Sequence, residues 1–594
     1  MQDSKPNADI LFEASWEVCN KVGGIYTVVK SKADIINRKY NGNYFLVGPL
    51  FPEKAKIELQ QCVPLPELKQ AFDELEQEGL SCIYGKWMCK GEPQVILVDF
   101  SKWFDRKNDI MKYLWESYGI DSLFSGYDFI EPMIWGHAVG RVIEKVKEKY
   151  ENKRIVAHFH EWLAGFGLLY LKHNNSGVKT VFTTHATMLG RALCGSGVDL
   201  YSKLSTINPE EEAKKSGIND KFTTERACAK NAEVFTTVSE ITAIEAEKIL
   251  GRKADVLLLN GLDIDKFPTF EESSIKHREY RDRIREFLSF FFFPHYKFDL
   301  EKTLNFFIVG RYEFKNKGID ILIKALGKLN SMLKQGESKK NVAAFFFIPT
   351  AVTSIKMPVL ENREQFEKIN EFVKNSSQKL LQRLLMSILK GDDLESFSLF
   401  SEDERNDLKK YILKFNTKGG PFLSTHNIYN EENDLMIRGF KEAGLLNREE
   451  DRVKVILFPV YLDGFDEILK LKYYDAIQGC HMGIFPSYYE PWGYTPLESA
   501  ALGVPAITTD LAGFGRFIKK SSDPEKGGIF VLNRMNKSDD ESENELTNLL
   551  HNFTLLKRKD RVEQKMSAKA LSELADWKNF ARFYIEAHNL SLTR

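Results

Sequence analysis

Glu490 and Glu498 stand eight residues apart in the segment FPSYYEPWGYTPLESAALGVPAITTD, residues 485–510, on either side of a Pro491-Trp492-Gly493 turn. Neither Pro491 nor Gly493 sits comfortably inside a helix, so the pattern puts Glu490 on a loop at the mouth of a strand. Thr495, Pro496 and Glu498 then read as the N-cap, first and third positions of the helix that follows. A helix start offers unpaired backbone N–H groups and a positive dipole end, the usual seat of a phosphate. A carboxylate beside such a seat suits a sugar nucleotide. The same letters also fit a bare capping box and a solvated loop carboxylate, and only the remainder of the chain separates the two readings.

Cations for a diphosphate are available in Gly310-Arg311-Tyr312-Glu313-Phe314-Lys315-Asn316-Lys317-Gly318, which follows an apolar strand and opens the next helix. Arg311 can grip phosphate with a fixed fork and Lys317 can add a compact charge, both acting most strongly where negative charge builds on a departing group. Far upstream, Lys21-Val22-Gly23-Gly24 lies between a strand and a helix, where glycine lets the backbone approach a phosphate or sugar. His158-Phe159-His160-Glu161-Trp162 ends one strand and Thr183-Thr184-His185-Ala186 ends the next, with Arg191 just beyond. Histidines at spacing two share a strand face, but no third ligand neighbours them in sequence. A sugar-binding wall is therefore favoured over a metal site, with His185 bonding a sugar hydroxyl. No close aspartate pair suited to a divalent metal under a sugar nucleotide is found, Asp263-Ile264-Asp265 lying at a junction between halves. Leaving-group stabilisation falls to Arg311, Lys317 and the helix terminus, with no metal and no cofactor.

These residues sit at the ends of strand-like runs that alternate with helical patterns, the mark of parallel βα units. One series of strands is expected at 9–14, 44–47, 95–99, 155–159, 179–184, 233–237 and 255–258, and a second at 304–309, 342–348, 453–459, 482–485, 506–508 and 528–532. The fold class is thus α/β, with two Rossmann-like domains facing across a cleft and meeting near Asn260-Gly261-Leu262-Asp263. We divide the chain at 1–262, 263–576 and 577–594, the last a helix crossing back to the first domain. From about 350 to 450 the alternation stops, and Phe366, Ile369, Val373, Leu380, Leu384 and Ile388 mark an inserted helical hairpin. Its amphipathic faces, with the segment 275–288, serve either subunit association or packing on their own lobe. The Phe290–Phe293 run is expected in a core, and single helices are expected at 541–575 and from Trp577 onward.

At 594 residues the chain exceeds one core. Its 83 Lys plus Arg against 84 Asp plus Glu give a net charge of -1, which leaves no whole-chain field for nucleic acid or an anionic membrane. Neutral polymers and small ligands remain. The seven cysteines form no metal-ligand ladder, and MQDSKPNADILF lacks the plan of a signal peptide, so a reducing, cytoplasmic setting is expected.

Glu490 with Glu498, the Arg311/Lys317 loop, HFHEW, TTHAT and FTTVSEITAIEAEKIL together resemble the glycogen synthases of the eukaryotic type, nearly end to end. The resemblance implies a glycosyltransferase-B arrangement that moves glucose from UDP-glucose, without metal, to the 4-hydroxyl at the non-reducing end of an α-1,4-glucan, retaining the anomeric configuration. It implies that Arg311 and Lys317 hold the diphosphate, that Glu490 sits beside the reacting glucose, that Glu498 binds the ribose and that Tyr473 stacks on the base. His185, Arg191, Lys21, Gly23 and Gly24 would line the donor pocket from the first lobe. Trp492, Gly493, Tyr494 and Thr495 would line it from the second. The inserted helices resemble the family's tetramerisation element, and a glycogenin-like primer protein is an implied partner. A late helix in animal and fungal members carries six arginines that read glucose 6-phosphate and phosphorylated tails. Here Arg558, Lys559, Arg561 and Lys565 stay basic while Ser567 and Ala570 do not, and His277, Arg281 and His481 stand at the matching hexose-phosphate pocket. Tails like those of the animal enzymes are not expected. Lys21, where those enzymes often have arginine, resembles bacterial starch and glycogen synthases and keeps ADP-glucose open as the donor; a catalytically silent glucan-binding scaffold is the third reading.

Overall fold

The structure is a computed structural model that describes residues 5–150, 152–336, 338, 340–391, 398–415, 419–523 and 526–594. Nine strands of the first lobe run β1 Ile10–Ala14, β2 Tyr44–Pro49, β3 Leu59–Gln61, β4 Ser81–Trp87, β5 Gln94–Asp99, β6 Ile155–His160, β7 Lys179–Thr184, β8 Val234–Thr237 and β9 Val256–Leu257. Among the described residues they form one sheet in the order β3-β4-β5-β2-β1-β6-β7-β8-β9. All its pairings are parallel except β3 with β4 and β4 with β5, where β3 is the edge and neither β3 nor β4 was included in the sequence reading. ILFEA and IVAHFH are buried along their whole length because helices cover both faces. Ile10, Phe12 and Ala14 pack into one layer and Leu11 into the other. Glu13, His158 and His160 therefore share Leu11's face.

The second lobe adds β10 Thr303–Val309, β11 Asn341–Phe347, β12 Val352–Ile355, β13 His426–Ile428, β14 Val453–Leu457, β15 Met482–Ile484, β16 Ala506–Thr509 and β17 Ile529–Leu532. Its six-stranded sheet runs β14-β11-β10-β15-β16-β17, and β12 with β13 forms a separate antiparallel pair. Between β12 and β13 lie two helices, Met357–Lys390 and Glu402–Phe415, while residues 392–397 and 416–418 of that stretch fall outside the described residues. Phe366 packs on Phe290, whereas Val373, Leu381, Leu385 and Ile388 stay exposed. Phe290, Phe291 and Phe292 are buried at the end of the helix Phe270–Phe292. The single helix expected over 541–575 is two, Asp539–Leu555 and Arg558–Glu573, turned at Leu556-Lys557.

The last helix, Trp577–Ser591, lies on the first lobe. Trp577 donates from Nε1 to Ser31 Oγ at 2.8 Å, and Asp576 bridges to Leu262. Gly261 makes the approach possible, since a Cβ there would sit 2.7 Å from the Trp577 ring. Burying Trp577, Phe580 and Tyr584 contributes roughly 2–3 kcal/mol each, which ties the far end of the chain to the opposite lobe. No helix among the described residues is long and apolar enough to cross a membrane.

Candidate active site

Two loops at the carboxyl ends of β10 and β15 are stapled together, and their side chains follow from that. The Asn316 carbonyl accepts from the Tyr488 N–H at 2.9 Å and the Tyr489 N–H at 3.2 Å. Gly318, at φ +67°, opens the next helix so close to Pro486 that a Cβ would lie 2.0 Å from its carbonyl oxygen. Any side chain there would part the loops. Lys317 Nζ consequently reaches Glu490 Oε2 at 2.5 Å, each side chain 20% exposed. This is a charge-assisted hydrogen bond in a half-shielded cleft. Arg311 behaves differently, its guanidinium resting on Glu313 at 2.8 Å with the side chain 75% exposed. Glu313 in turn lies in the field of Arg191 from the opposite lobe.

The helix after Glu490 runs Tyr494–Ala501 from an N-cap Gly493 at φ +108°, and no side chain caps it. The capping box expected from Thr495 and Glu498 is therefore absent, because the helix begins two residues earlier and Glu498 is drawn elsewhere. Its Oε2 accepts from the Tyr473 hydroxyl at 2.8 Å and its Oε1 from the Tyr474 hydroxyl at 3.0 Å. Trp492 is a correction too: its indole is 3% exposed among Phe514, Phe517 and Phe580, so the ring is core rather than a pocket wall. Only its carbonyl works at the turn, accepting from Phe514 N–H at 2.8 Å. Tyr494 reaches across the lobes to the Gly261 carbonyl at 3.2 Å, and Thr495 is half-buried.

Burial pushes the Glu498 carboxyl from an ordinary 4.5 up to about 7, against the two tyrosine hydroxyls. The folded state holds this proton more tightly than the unfolded chain, so the group's contribution to stability is present below the ordinary carboxyl range and is lost as pH rises through about 7. Under the ribose role that the resemblance implies for Glu498, binding has the opposite sign, because ribose hydroxyls donate better to the ionised form. The apparent KM for a nucleotide-sugar donor is then expected to fall several-fold between pH 6 and 8, roughly the tenfold per unit limit softened by the tyrosines. Glu498→Gln should flatten that profile; an unchanged slope in the variant would take Glu498 out of the ribose role.

Across the cleft, His185 is buried and its Nε2 lies 2.9 Å from His160 Nδ1. His160 Nε2 in turn meets Glu13 Oε1. Burial opposes the charge on Glu13, but the buried Lys32 ammonium, with His160, holds its carboxyl well below the usual range. An ionised Glu13 can only accept, so His160 Nε2–H donates to it and His160 Nδ1 accepts from His185 Nε2–H. The chain thus fixes His185 in the tautomer whose Nδ1 is unprotonated. Burial, then His160, pushes the His185 pKa well down, which keeps it neutral. The strand-face reading missed that Glu13 joins His158 and His160 within metal-ligand distance. The carboxylate is nonetheless already bonded to Lys32 and Tyr44, and His158 Nε2 to Thr183 Oγ1 at 2.6 Å, so the trio forms a saturated polar network.

Two further carboxylates escaped the sequence reading. Glu161, a buried residue at φ +65°, accepts with Oε1 from the His185 and Ala186 N–H groups at 2.8 and 3.2 Å. A non-glycine residue in that region is strained, and here the strain fixes the TTHAT turn. Glu17 Oε2 accepts from Gly23 N–H at 2.7 Å and Tyr26 N–H at 2.9 Å, so it occupies the helix start that Lys21, Gly23 and Gly24 were expected to offer a phosphate. Lys21 itself is exposed. Arg191, also exposed, lies in the field of both carboxylates. Glu17 was legible only as an acid six residues before a glycine pair.

A second cluster lies away from the cleft. The His277 and His481 rings meet edge to face at 5.3 Å, and His277 Nδ1 donates to the Gln478 carbonyl at 2.7 Å. Arg281, Arg561 and Lys565 surround them, and Arg281 Nε is buried without a partner. Burial, then Arg281 and Arg561, lower Lys565 to about 7, and burial, then Lys565, lower His277 to about 3. Arg558 acts on this group electrostatically. Lys559 does not belong to it, its side chain 86% exposed and facing Glu563 at 3.9 Å.

Residues 13–594 match the family model described as glycogen synthase. The chain is 38% identical over 591 residues to the liver glycogen [starch] synthase of Homo sapiens, covering 98% of this chain and 84% of that protein. It is 38% identical over 594 residues to glycogen [starch] synthase of Neurospora crassa, covering 98% and 84%, and 37% identical over 601 residues to that of Caenorhabditis elegans, covering 100% and 89%. Among solved structures, the catalytic domain of Starch Synthase IV from Arabidopsis thaliana bound to ADP and acarbose aligns with TM-score 0.52 at 12% identity, covering 99% of this chain and 100% of that one, a likeness of fold. With two facing Rossmann-like lobes of the glycosyltransferase-B kind and a match running almost from end to end, the chain belongs to the glycogen synthase family.

Proposed function

We propose that the protein is a retaining glucosyltransferase that extends an α-1,4-glucan from UDP-glucose. The observation that carries this is the Lys317–Glu490 pair that joins the two C-terminal-lobe loops, with the Arg191 cation of the other lobe acting on Glu313 and Tyr489 of those same loops and on the neutral His185 of its own lobe. Lys317 and Arg311 stabilise the diphosphate as it departs. Glu490, its charge shared with Lys317, is a poor nucleophile and a good electrostatic partner for the positive charge that grows on the sugar ring. The acceptor 4-hydroxyl then attacks C1 from the face the phosphate leaves, forming C1–O4 as the C1–O bond to phosphate breaks, and a phosphate oxygen takes the hydroxyl proton. Closure of the lobes keeps out water, which would otherwise compete. Incubation with radiolabelled UDP-glucose or ADP-glucose and a glycogen primer is expected to incorporate glucose from the first. Preference for the second would move the donor, and none from either would leave a glucan-binding scaffold.

The cation cluster around Arg281 and Lys565 suits a hexose phosphate effector such as glucose 6-phosphate, since Arg281 meets Asp282 only at 3.9 Å and keeps a buried, unpartnered guanidinium nitrogen beside the buried Lys565. A dianion would draw a proton onto Lys565. Calorimetry at pH 8 in two buffers of different ionisation enthalpy should therefore show uptake of up to about one proton, absent in Lys565→Met. A titration with no change in rate or donor affinity would rule out the effector. Homo-tetramer formation through the exposed faces of the helices Met357–Lys390 and Glu402–Phe415, a glycogenin-like primer partner and a cytoplasmic setting for seven unpaired cysteines complete the reading.

A further inference from the structure

Tyr489 stands where three segments of the cleft meet. Its N–H donates to the Asn316 carbonyl, just ahead of Lys317, at 3.2 Å, and its backbone runs directly into Glu490. Its hydroxyl leaves the second lobe and donates to Glu245 Oε1, on the first-lobe helix Glu240–Ile249, at 3.0 Å, a contact between two buried side chains. The same oxygen accepts from the hydroxyl of Thr187, which caps the helix Met188–Gly195 that carries Arg191 and directly follows the turn that carries His185. One carboxylate oxygen thus joins the segment bearing His185 and Arg191 to the loop bearing Glu490. Gly190 leaves room for it, since a Cβ there would lie 2.1 Å from Oε1.

The helix Glu240–Ile249 also holds Glu490 from its other side. The Glu490 carbonyl accepts from Gly513 N–H at 3.2 Å, and Gly513 packs so tightly on Ser239, the N-cap of that helix, that a Cβ would sit 2.5 Å from the Ser239 Cβ. Beyond Gly513, on the helix Gly513–Ser521, Arg516 pairs with Glu240 at 3.1 Å and Lys520 pairs with the same carboxylate. Charge and close packing therefore clamp the foot of the helix to the second lobe, and Glu245 reaches Tyr489 from about 7.5 Å further along its axis. Burial pushes the Glu245 carboxyl up to about 7, against the Thr187 and Tyr489 hydroxyls and the Arg191 cation, with Glu225, Tyr201 and Cys194 also in its field. Oε1 accepts in the ionised and in the neutral acid alike, so the contact needs an oxygen there rather than a charge.

We propose that Glu245 is a positioning residue for the transfer, setting Glu490 against the His185 and Arg191 wall through the Tyr489 hydroxyl. The proposal rests on the glucosyl transfer argued above. Tyr489→Phe deletes one oxygen and keeps the ring. It is expected to lower kcat about tenfold, the loss of one buried hydrogen bond, while the apparent donor KM and the calorimetric affinity for UDP stay within twofold because the diphosphate is held inside the second lobe. Glu245→Leu should lose a similar factor, and adding Tyr489→Phe to it little more, since both act through one contact. Glu245→Gln keeps an acceptor oxygen and should lose less than threefold. If Glu245→Leu does not fold, Tyr489→Phe and Glu245→Gln decide the matter. Unmodified protein that transfers no glucose overturns the functional reading and this one with it. Transfer by the unmodified protein with an unaltered kcat in Tyr489→Phe, a matching loss of UDP affinity in that variant, or a loss in Glu245→Gln as large as in Tyr489→Phe overturns the positioning role alone.

Discussion

Glu490→Gln is expected to lower kcat by about 10²–10³-fold, equivalent to roughly 3–4 kcal/mol of transition-state stabilisation. Glutamine keeps the shape, and its amide oxygen still accepts from Lys317 Nζ, now 2.5 Å from Glu490 Oε2, so the stapled loops stay in place. What vanishes is the negative charge beside a sugar ring that becomes cationic as the phosphate leaves. The ground-state diphosphate gains nothing from that charge and is mildly repelled by it. UDP affinity, read by calorimetry, should therefore hold or tighten, while single-turnover transfer collapses. A variant whose turnover stays within about threefold of the unmodified protein would remove Glu490 from the reaction.

The strands that carry the chemistry were legible because parallel strands covered on both faces are apolar throughout and end abruptly. KTVFTT was placed residue for residue, and the others within a few residues. The antiparallel strands at one end of the first sheet lack that signature. LQQ and SCIYGKW mix polar and apolar letters because one side meets solvent, so nothing in period or composition separated them from loop. The break at Leu556-Lys557 carries neither glycine nor proline and was invisible for that reason. At the candidate site, residue types alone singled out Lys317, Glu490 and His185. They could not find what the fold decides. Glu13 in ILFEA and Lys32 in the helix Gly24–Lys39 read as two stray charges on apolar backgrounds until the sheet brings them together with His160. Likewise, a carboxylate can stand in for a phosphate at a helix start, as Glu17 does, and no local pattern announces it.

Lys317→Ala is the companion result, and its meaning depends on Glu490. Removing the ammonium strips a cation from the departing diphosphate and leaves the Glu490 carboxylate, one-fifth exposed, without its partner and facing the same phosphate charge. Both effects weaken the transition state, so kcat/KM is expected to fall about 10³-fold, with a larger rise in donor KM than Glu490→Gln produces. Lys317→Arg should recover only part of this, because a planar fork cannot place a point charge at the Glu490 oxygen without moving a loop pinned at Gly318. The double variant tests the pair itself. With Glu490 already neutral, deleting Lys317 no longer exposes a bare carboxylate, so the combined loss should be smaller than the product of the single losses by about 1–3 kcal/mol of coupling. Strict additivity would mean that the two residues act on separate steps, and the contact between them would then play no part in the transfer.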